Sequence, residues 1–280
     1  MNNALKKSID NLYSLALKED EVKNDITSKL TVTSKKIEAC LIFKENGVLS
    51  GTDVIKYIIS KFNKQIAIQW KYKNGQNIKK NSIVATIKGP GNHILSIERI
   101  ILNFLQRLCG ISTLTYTFSK ELKKTKIKIL DTRKTVPGWR HLEKYAVKIG
   151  GGFNHRKNLK DLLLIKENHI FLNNTIQRIL ENLKKKNKLK ATEIEVSSIK
   201  ELKEVVQYHP KRIMLDNFSI ANIKKSVEII KSNTKCEIEV SGNMTVKKIK
   251  KLKNMNLDYI SVGKITHSAT FLDISMIVVK

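Results

Sequence analysis

Between Asp131 and Arg156 the chain reads DTRKTVPGWRHLEKYAVKIGGGFNHR, with Arg133 and Lys134 near one end and His155 and Arg156 at the other. Guanidinium forks match carboxylate and phosphate groups, and a lysine adds a compact point charge. Two such cationic pairs brought together would therefore bind a polyanion. Taken singly, each of the four is most simply a surface charge in a very basic chain. The arginine distribution argues the other way: only seven of the 53 Lys+Arg residues are arginine, and three of those seven fall between 133 and 156. Where lysine is the default cation, an arginine marks a position that needs its planar fork.

The elements that must position these groups follow from the same stretch. A short apolar run (Ile127, Ile129, Leu130) stops at Asp131, Thr132, Arg133, Lys134 and Thr135, and Pro137-Gly138 punctuates the chain. Leu142, Tyr145, Ala146 and Ile149 then share one helix face. Gly150-Gly151-Gly152 ends the helix and delivers Asn154, His155 and Arg156. Three glycines beside charged residues predict backbone that bends sharply or lets a ligand approach closely.

From Lys126 onwards short β runs (126–130, 162–165, 193–196, 212–215, 237–240 and 259–262) alternate with helical stripes, the pattern of parallel βα units. Polar residues stand after every run: Asp131-Thr132-Arg133-Lys134, Lys166-Glu167-Asn168-His169, Ser197, Asp216-Asn217, Ser241-Gly242-Asn243 and Gly263-Lys264, with Glu195 in the last turn of its own strand. In a parallel barrel these ends open onto one face, where active sites are built. Gly242 and Gly263 follow the last two runs, where barrels commonly hold a phosphate. Upstream, an amphipathic opening helix (5–19), β runs at 37–43, 66–72 and 82–89, and a helix over 52–62 predict a smaller α+β domain without a catalytic constellation. The longest helical pattern, 94–118, carries Arg99 on a face beside Glu98, which reads as a surface cation unless the helix lies near a site.

Composition bounds the rest. A chain of 280 residues, 41% hydrophobic and 28% charged, can bury a full core as one large α/β unit or two modest domains. The net charge of +28 permits nucleic-acid binding, but lysines are scattered through nearly every segment and only 6% of residues are aromatic. The lysine runs 184–190 and 247–253 read as solvated helix faces. A compositional bias, not a specific nucleic-acid partner, is the better reading. No apolar run approaches the roughly 18 residues of a membrane helix. Asp10, Glu19 and Asp20 stand where a secretory signal would be apolar, and three dispersed cysteines (Cys40, Cys109, Cys236) fit reduced thiols, so a cytoplasmic protein is expected.

In order along the chain, ALKEDEVKNDITS (16–28), ERIILNFLQRLCGIST (98–113), the 131–156 block, LLLIKENHI (162–170), EIEVSS (193–198), MLDNF (214–218), EVSGNM (239–244) and DYISVGKITHS (258–268) resemble the quinolinate phosphoribosyltransferases, or carboxylating nicotinate-nucleotide pyrophosphorylases. These are type II phosphoribosyltransferases of NAD biosynthesis. The resemblance covers nearly the whole chain; the 131–156 block and IKENH are specific, whereas SG and VG alone mean little. It implies an α/β protein with an N-terminal α/β sandwich domain (1–110 with 269–280) and an incomplete, seven-stranded α/β barrel (111–268) carrying the active site. It further implies a homodimer, or higher oligomer, with shared active sites.

The implied reaction moves the phosphoribosyl group of PRPP to quinolinate with Mg²⁺, giving nicotinate mononucleotide, pyrophosphate and CO₂. By motif match, Arg133, Lys134, His155, Arg156 and Lys166 would line the quinolinate and PRPP pocket, and Arg99 would enter from the other subunit. Glu195 and Asp216 would serve the ribose hydroxyls and Mg²⁺, directly or through other ligands; Lys134, Lys166, Glu195 and Asp216 are the implied catalytic set. Ser241, Gly242, Asn243, Ser261, Gly263 and His267 would surround the 5-phosphate. Asn243 stands where the family usually has a second glycine, and Val136 and Trp139 replace residues more often Thr and Leu. Asn tolerates left-handed backbone better than most residues.

Two other readings stay open on the sequence. One is a related phosphoribosyltransferase acting on another acceptor, which CO₂ release from a diacid would exclude. The other is a polyanion-binding protein without catalysis, which salt-dependent DNA binding that survives mutation of the site would favour.

Overall fold

Apolar stripes at helical spacing and short apolar runs become helices and strands close to where the sequence places them. The computed structural model describes residues 1–32 and 35–279. The chain opens with α1 (Asn3–Glu19), capped by Asn2 accepting from the Leu5 N–H, and α2 (Ile26–Thr31), capped by Asp25. Then come β1 (Lys36–Phe43), β2 (Gly47–Val48), α3 (Thr52–Phe62), β3 (Ala67–Trp70), β4 (Asn77–Ile78), β5 (Ile83–Pro90) and the long α4 (Gly91–Ser119). Next are β6 (Lys128–Leu130), α5 (Arg140–Ile149), β7 (Leu163–Ile165), α6 (Glu167–Leu172) and α7 (Ile176–Lys185). Strands β8 (Thr192–Val196), β9 (Arg212–Asp216), β10 (Glu237–Ser241) and β11 (Tyr259–Ser261) alternate with α8 (Ile199–Val206), α9 (Ile220–Asn233) and α10 (Val246–Leu252). The short α11 (Lys264–His267) and β12 (Ile274–Val278) follow. Two compact units result: Met1–Tyr116 with Lys134–Gly151 and Ile265–Lys280, and Thr117–Arg133 with Gly152–Lys264.

The first unit is built on a four-stranded antiparallel sheet in the order β12-β1-β5-β3, with Phe43 opposite Ile274 and Cys40 opposite Thr86. Ile94, Ile97, Ile101, Leu105 and Leu108 place one stripe of α4 in the core, each contributing about 1.5–3 kcal/mol by leaving water. Gly110 is compelled by space: a Cβ there would lie 1.8 Å from the Thr270 carbonyl oxygen. Arg107, one turn earlier, is buried; it donates to the carbonyls of Ala269 (2.7 Å) and Thr266 (2.8 Å) and pairs with Glu143 at 2.6 Å. That clip binds α4 and α5 to the C-terminal segment. The triple glycine divides its labour. A Cβ on Gly150 would fall 2.4 Å from the Ser112 carbonyl, so that residue serves close helix packing, and Gly151 (φ 84°) makes the bend.

The second unit is a parallel sheet of six strands in the order β6-β11-β10-β9-β8-β7. Ile194, Val196, Ile213, Leu215, Ile238, Val240 and Ile260 are buried, as expected for strands covered on both faces. Where a seventh strand is expected there is a single parallel bridge, Leu130 to Phe153, with the Phe153 N–H donating to Ile129 and its carbonyl accepting from Asp131. In chain order the bridge lies between β6 and β7, and among the described residues Phe153 has no rung to β7, so the barrel is incomplete there. All strand C-termini face the same way, which gathers Asp131, Lys166, Asp216, Ser241 and Gly263 at one end of the unit.

Candidate active site

Pairing register explains the interior of the barrel. Glu193 lies opposite Arg212, which lies opposite Glu237, while Glu239 is two residues along β10 from Glu237 and shares its face. Arg212 Nη1 contacts Glu239 at 2.8 Å and Glu193 at 3.6 Å, its Nη2 contacts Glu237 at 3.0 Å, and the guanidinium stacks 3.9 Å from the centroid of Tyr259. Ser261 donates its hydroxyl to Glu239. Burial pushes the Glu193 carboxyl up to about 7, against the pull of Arg212. Burial, and then the neighbouring Glu193 charge, pushes Glu239 up to about 7 as well.

His155 sits above this pair. Asp131, fully buried, accepts the His155 backbone N–H at 2.8 Å, and His155 Nδ1 accepts the Arg156 N–H at 2.7 Å. With Nδ1 an acceptor, the ring proton of neutral His155 is on Nε2, which faces Glu193 at 3.1 Å and Glu239 at 3.6 Å. Arg156 donates to the Leu162 carbonyl at 3.0 Å. Its charge is disfavoured first by burial and then by Arg133 beside it, with Glu193 counteracting. Two like charges held near each other favour an anion between them. Lys166 is paired with Glu195 at the next strand end.

The third group follows β9 and β10. Asn217 (φ 57°) donates its N–H to the Ser241 carbonyl at 3.1 Å and its side-chain amide to Asp216 at 2.7 Å. Gly242 has φ 95°, and a Cβ there would strike Asn217 Oδ1 at 2.1 Å, so only glycine fits. Asn243 adopts the left-handed conformation (φ 45°) that its type tolerates. Lys248 of α10 donates to the Gly242 carbonyl at 3.1 Å.

Of the residues singled out from sequence, Arg133, His155, Arg156, Lys166, Glu195, Asp216, Ser241, Gly242, Asn243, Ser261 and Gly263 all belong to the second unit. Ser261 is buried and donates its hydroxyl to Glu239. Arg99, Lys134 and His267 belong to the first unit and are exposed. There Lys134 accepts the Thr266 hydroxyl on its carbonyl (2.7 Å), and His267 Nδ1 lies 2.6 Å from the Ser268 hydroxyl.

Two groups of donors bear on a metal. His155, Glu193 and Glu239 place ligand atoms within 4.8 Å of one another, but Arg212 and Ser261 already compensate those carboxylates. Glu195 and Asp216, partly exposed at adjacent strand ends, are the hard oxygen donors that suit Mg²⁺ with substrate phosphates.

Glu193, Glu239, Arg212 and Lys248 are not among the residues that spacing and motif single out. The first two carried a signal, since EIEV occurs twice in buried strands and an alternate acid must then face the barrel interior. Lys248 carried none, being one lysine in a run of them.

The chain matches two family models. The one described as the quinolinate phosphoribosyl transferase C-terminal domain covers residues 111–277, and the corresponding N-terminal domain covers 25–109. A Bacillus subtilis protein described as a probable carboxylating nicotinate-nucleotide pyrophosphorylase is 36% identical, over 99% of this chain and 94% of its own length. The solved nicotinate-nucleotide pyrophosphorylase of Francisella tularensis is 38% identical, with a TM-score of 0.88 over 98% of this chain and 96% of the other. That of Ehrlichia chaffeensis is 35% identical, with a TM-score of 0.90 over 96% and 98%.

Proposed function

The chain belongs to the quinolinate phosphoribosyltransferase family, and we infer that it is a pentosyltransferase that moves the phosphoribosyl group of PRPP to quinolinate with decarboxylation. The products are nicotinate mononucleotide, pyrophosphate and CO₂, a step of NAD biosynthesis. What ties this reading to particular residues is the approach of Arg133 and Arg156, next to Lys166 and above two interior acids. A planar dicarboxylate suits two guanidinium forks, and a hydrogen bond to a charged group is worth about 1.5–3 kcal/mol.

The chemistry needs no covalent enzyme nucleophile. The C1–oxygen bond of PRPP breaks and its electron pair leaves with pyrophosphate; the pyridine nitrogen lone pair then forms the bond to C1. The ring nitrogen is now positive, so the electrons of the adjacent C–carboxylate bond can stay on the ring as CO₂ departs, and a proton takes their place. Arg133 and Arg156 orient the diacid, with His155 beneath them holding Arg156 in place through its backbone. Lys166, partnered by Glu195, adds positive charge where the carboxylates lie. Glu195 and Asp216 meet the ribose hydroxyls and would hold Mg²⁺, which when bound offsets the pyrophosphate charge. Ser241, Gly242, Asn243 and Gly263 surround the 5-phosphate. Positioning and fixed charge, not acid–base relay, carry the rate.

Residues 1–110 with 269–280 form the sandwich domain in this reading, and 111–268 the barrel. The enzyme is a homodimer in which Arg99 of each copy serves the other's site, an assignment supported by its exposure on α4. The buried, free cysteines Cys40, Cys109 and Cys236 suit a cytoplasmic enzyme. No helix among the described residues is long and apolar enough to cross a membrane.

Incubation with PRPP, Mg²⁺ and either quinolinate or nicotinate tests the assignment. Nicotinate mononucleotide with equimolar CO₂, formed only from the diacid, is the expected result. Nucleotide formed from nicotinate and not from quinolinate would refute it.

A further inference from the structure

We propose that Lys248 is a ligand of the 5-phosphate of PRPP, supplying the cation that the neutral loop Ser241-Gly242-Asn243 lacks. The inference rests on the reaction assigned above and adds to it a residue outside the stretches that carry the resemblance.

The geometry begins with a cap. Thr245 accepts the Lys248 N–H at 3.1 Å and starts α10 directly after the loop. Helical side chains lean towards the N-terminus, so Lys248 reaches back over the strand end it has just left. Its ammonium donates to the Gly242 carbonyl at 3.1 Å. The surrounding lysines behave differently: Lys247, Lys250, Lys251 and Lys253 are exposed, and Lys248 alone of the run is half-buried. The run KKIKKLK is thus a solvated face with one side chain turned inward.

Burial makes that charge costly. It lowers the readiness of Lys248 to stay protonated, and only Asp216 acts in the opposite direction. An ammonium has three N–H groups, and one is used on Gly242. Ser241, Gly242, Asn243 and Gly263 can offer N–H and hydroxyl groups to a phosphate but no positive charge. A dianion entering a partly dry loop needs one, and a lysine acting as a point charge is a common phosphate partner. The same lysine offsets Asn243, where backbone is less free than at a glycine.

Steady-state kinetics of the full-length Lys248→Met and Lys248→Arg variants, with inorganic phosphate as a competitor, decide the matter. In Lys248→Met the KM for PRPP should rise about 10- to 100-fold, the loss of one charge-assisted contact. The KM for quinolinate at saturating PRPP should move far less. Inhibition by inorganic phosphate should weaken in parallel, and Lys248→Arg should recover most of the loss. An unchanged KM for PRPP in a folded Lys248→Met variant overturns the proposal. So does a fall in melting temperature and turnover with both KM values intact, which marks a structural lysine. If the wild-type protein releases no CO₂ from quinolinate, the assigned reaction fails. Calorimetric titration of inorganic phosphate into wild type and Lys248→Met then decides the lysine: equal affinities overturn it, a 10-fold or greater loss supports it.

Discussion

In the first unit the buried guanidinium of Arg107 meets one carboxylate, Glu143, and two backbone carbonyls. In the second, Arg212 meets three carboxylates, Glu193, Glu237 and Glu239, with His155 on their far side. The first arrangement balances its charges one against one and makes a fixed joint between helix and chain end. The second has more acids than permanent cations, so protons make up the difference, and it touches the residues that would hold substrate. A buried arginine therefore says little about its role until the acids around it are counted.

Removing the balanced charge should cost most. Arg107→Ala leaves Glu143 buried without its cation and two carbonyls without a donor, a loss of about 3–5 kcal/mol measurable by urea denaturation. If the loss is under about 1 kcal/mol, the joint is not what holds the first unit. The rim arginines should show the opposite balance. Arg133→Ala or Arg156→Ala should lower kcat/KM for quinolinate by about 10²- to 10³-fold while the urea midpoint stays close to wild type. Near-normal kinetics in both variants would dissolve the site.

Arg212→Met should fall between these in stability, because Glu193 and Glu239 can answer the loss by holding protons. A cost of about 1–3 kcal/mol near pH 8 that shrinks towards pH 5 is expected. A pH-independent loss would mean the acids do not respond.

The smallest effect concerns the pair itself. Glu193 and Glu239 titrate near 7 when folded, above the ordinary 4.5, so between those values the unfolded chain holds fewer protons. Their contribution to stability is therefore fully present below about pH 4.5 and declines as the pH climbs to about 7. Glu239→Gln should flatten that part of the stability profile. Denaturation series from pH 4.5 to 7.5 in wild type and variant would show it.

Much of this was legible in the sequence because buried parallel strands are short apolar runs with polar ends. The six runs beyond Lys126 became β6 to β11 within two residues at either end. The long helix and the helix over 52–62 were equally plain from their stripes. The seventh strand was not, since it amounts to one bridge at Phe153 and leaves no periodic trace. The interior charges also escaped, because Glu193, Arg212 and Glu239 come from three strands and their meeting depends on register. Gly150 was placed correctly but for another reason: the packing of Ser112 and Thr115 demands it. Lys248 could not be told from its neighbours, because burial distinguishes it and spacing does not.

The first sheet takes its edge strand from the last segment of the chain, with Phe43 waiting for a partner some 230 residues downstream at Ile274. During synthesis one flank of β1 has no mate until the barrel segment has left the ribosome. An unpaired β edge invites foreign strands, so nascent or truncated chains lacking β12 should be the aggregation-prone form of this enzyme.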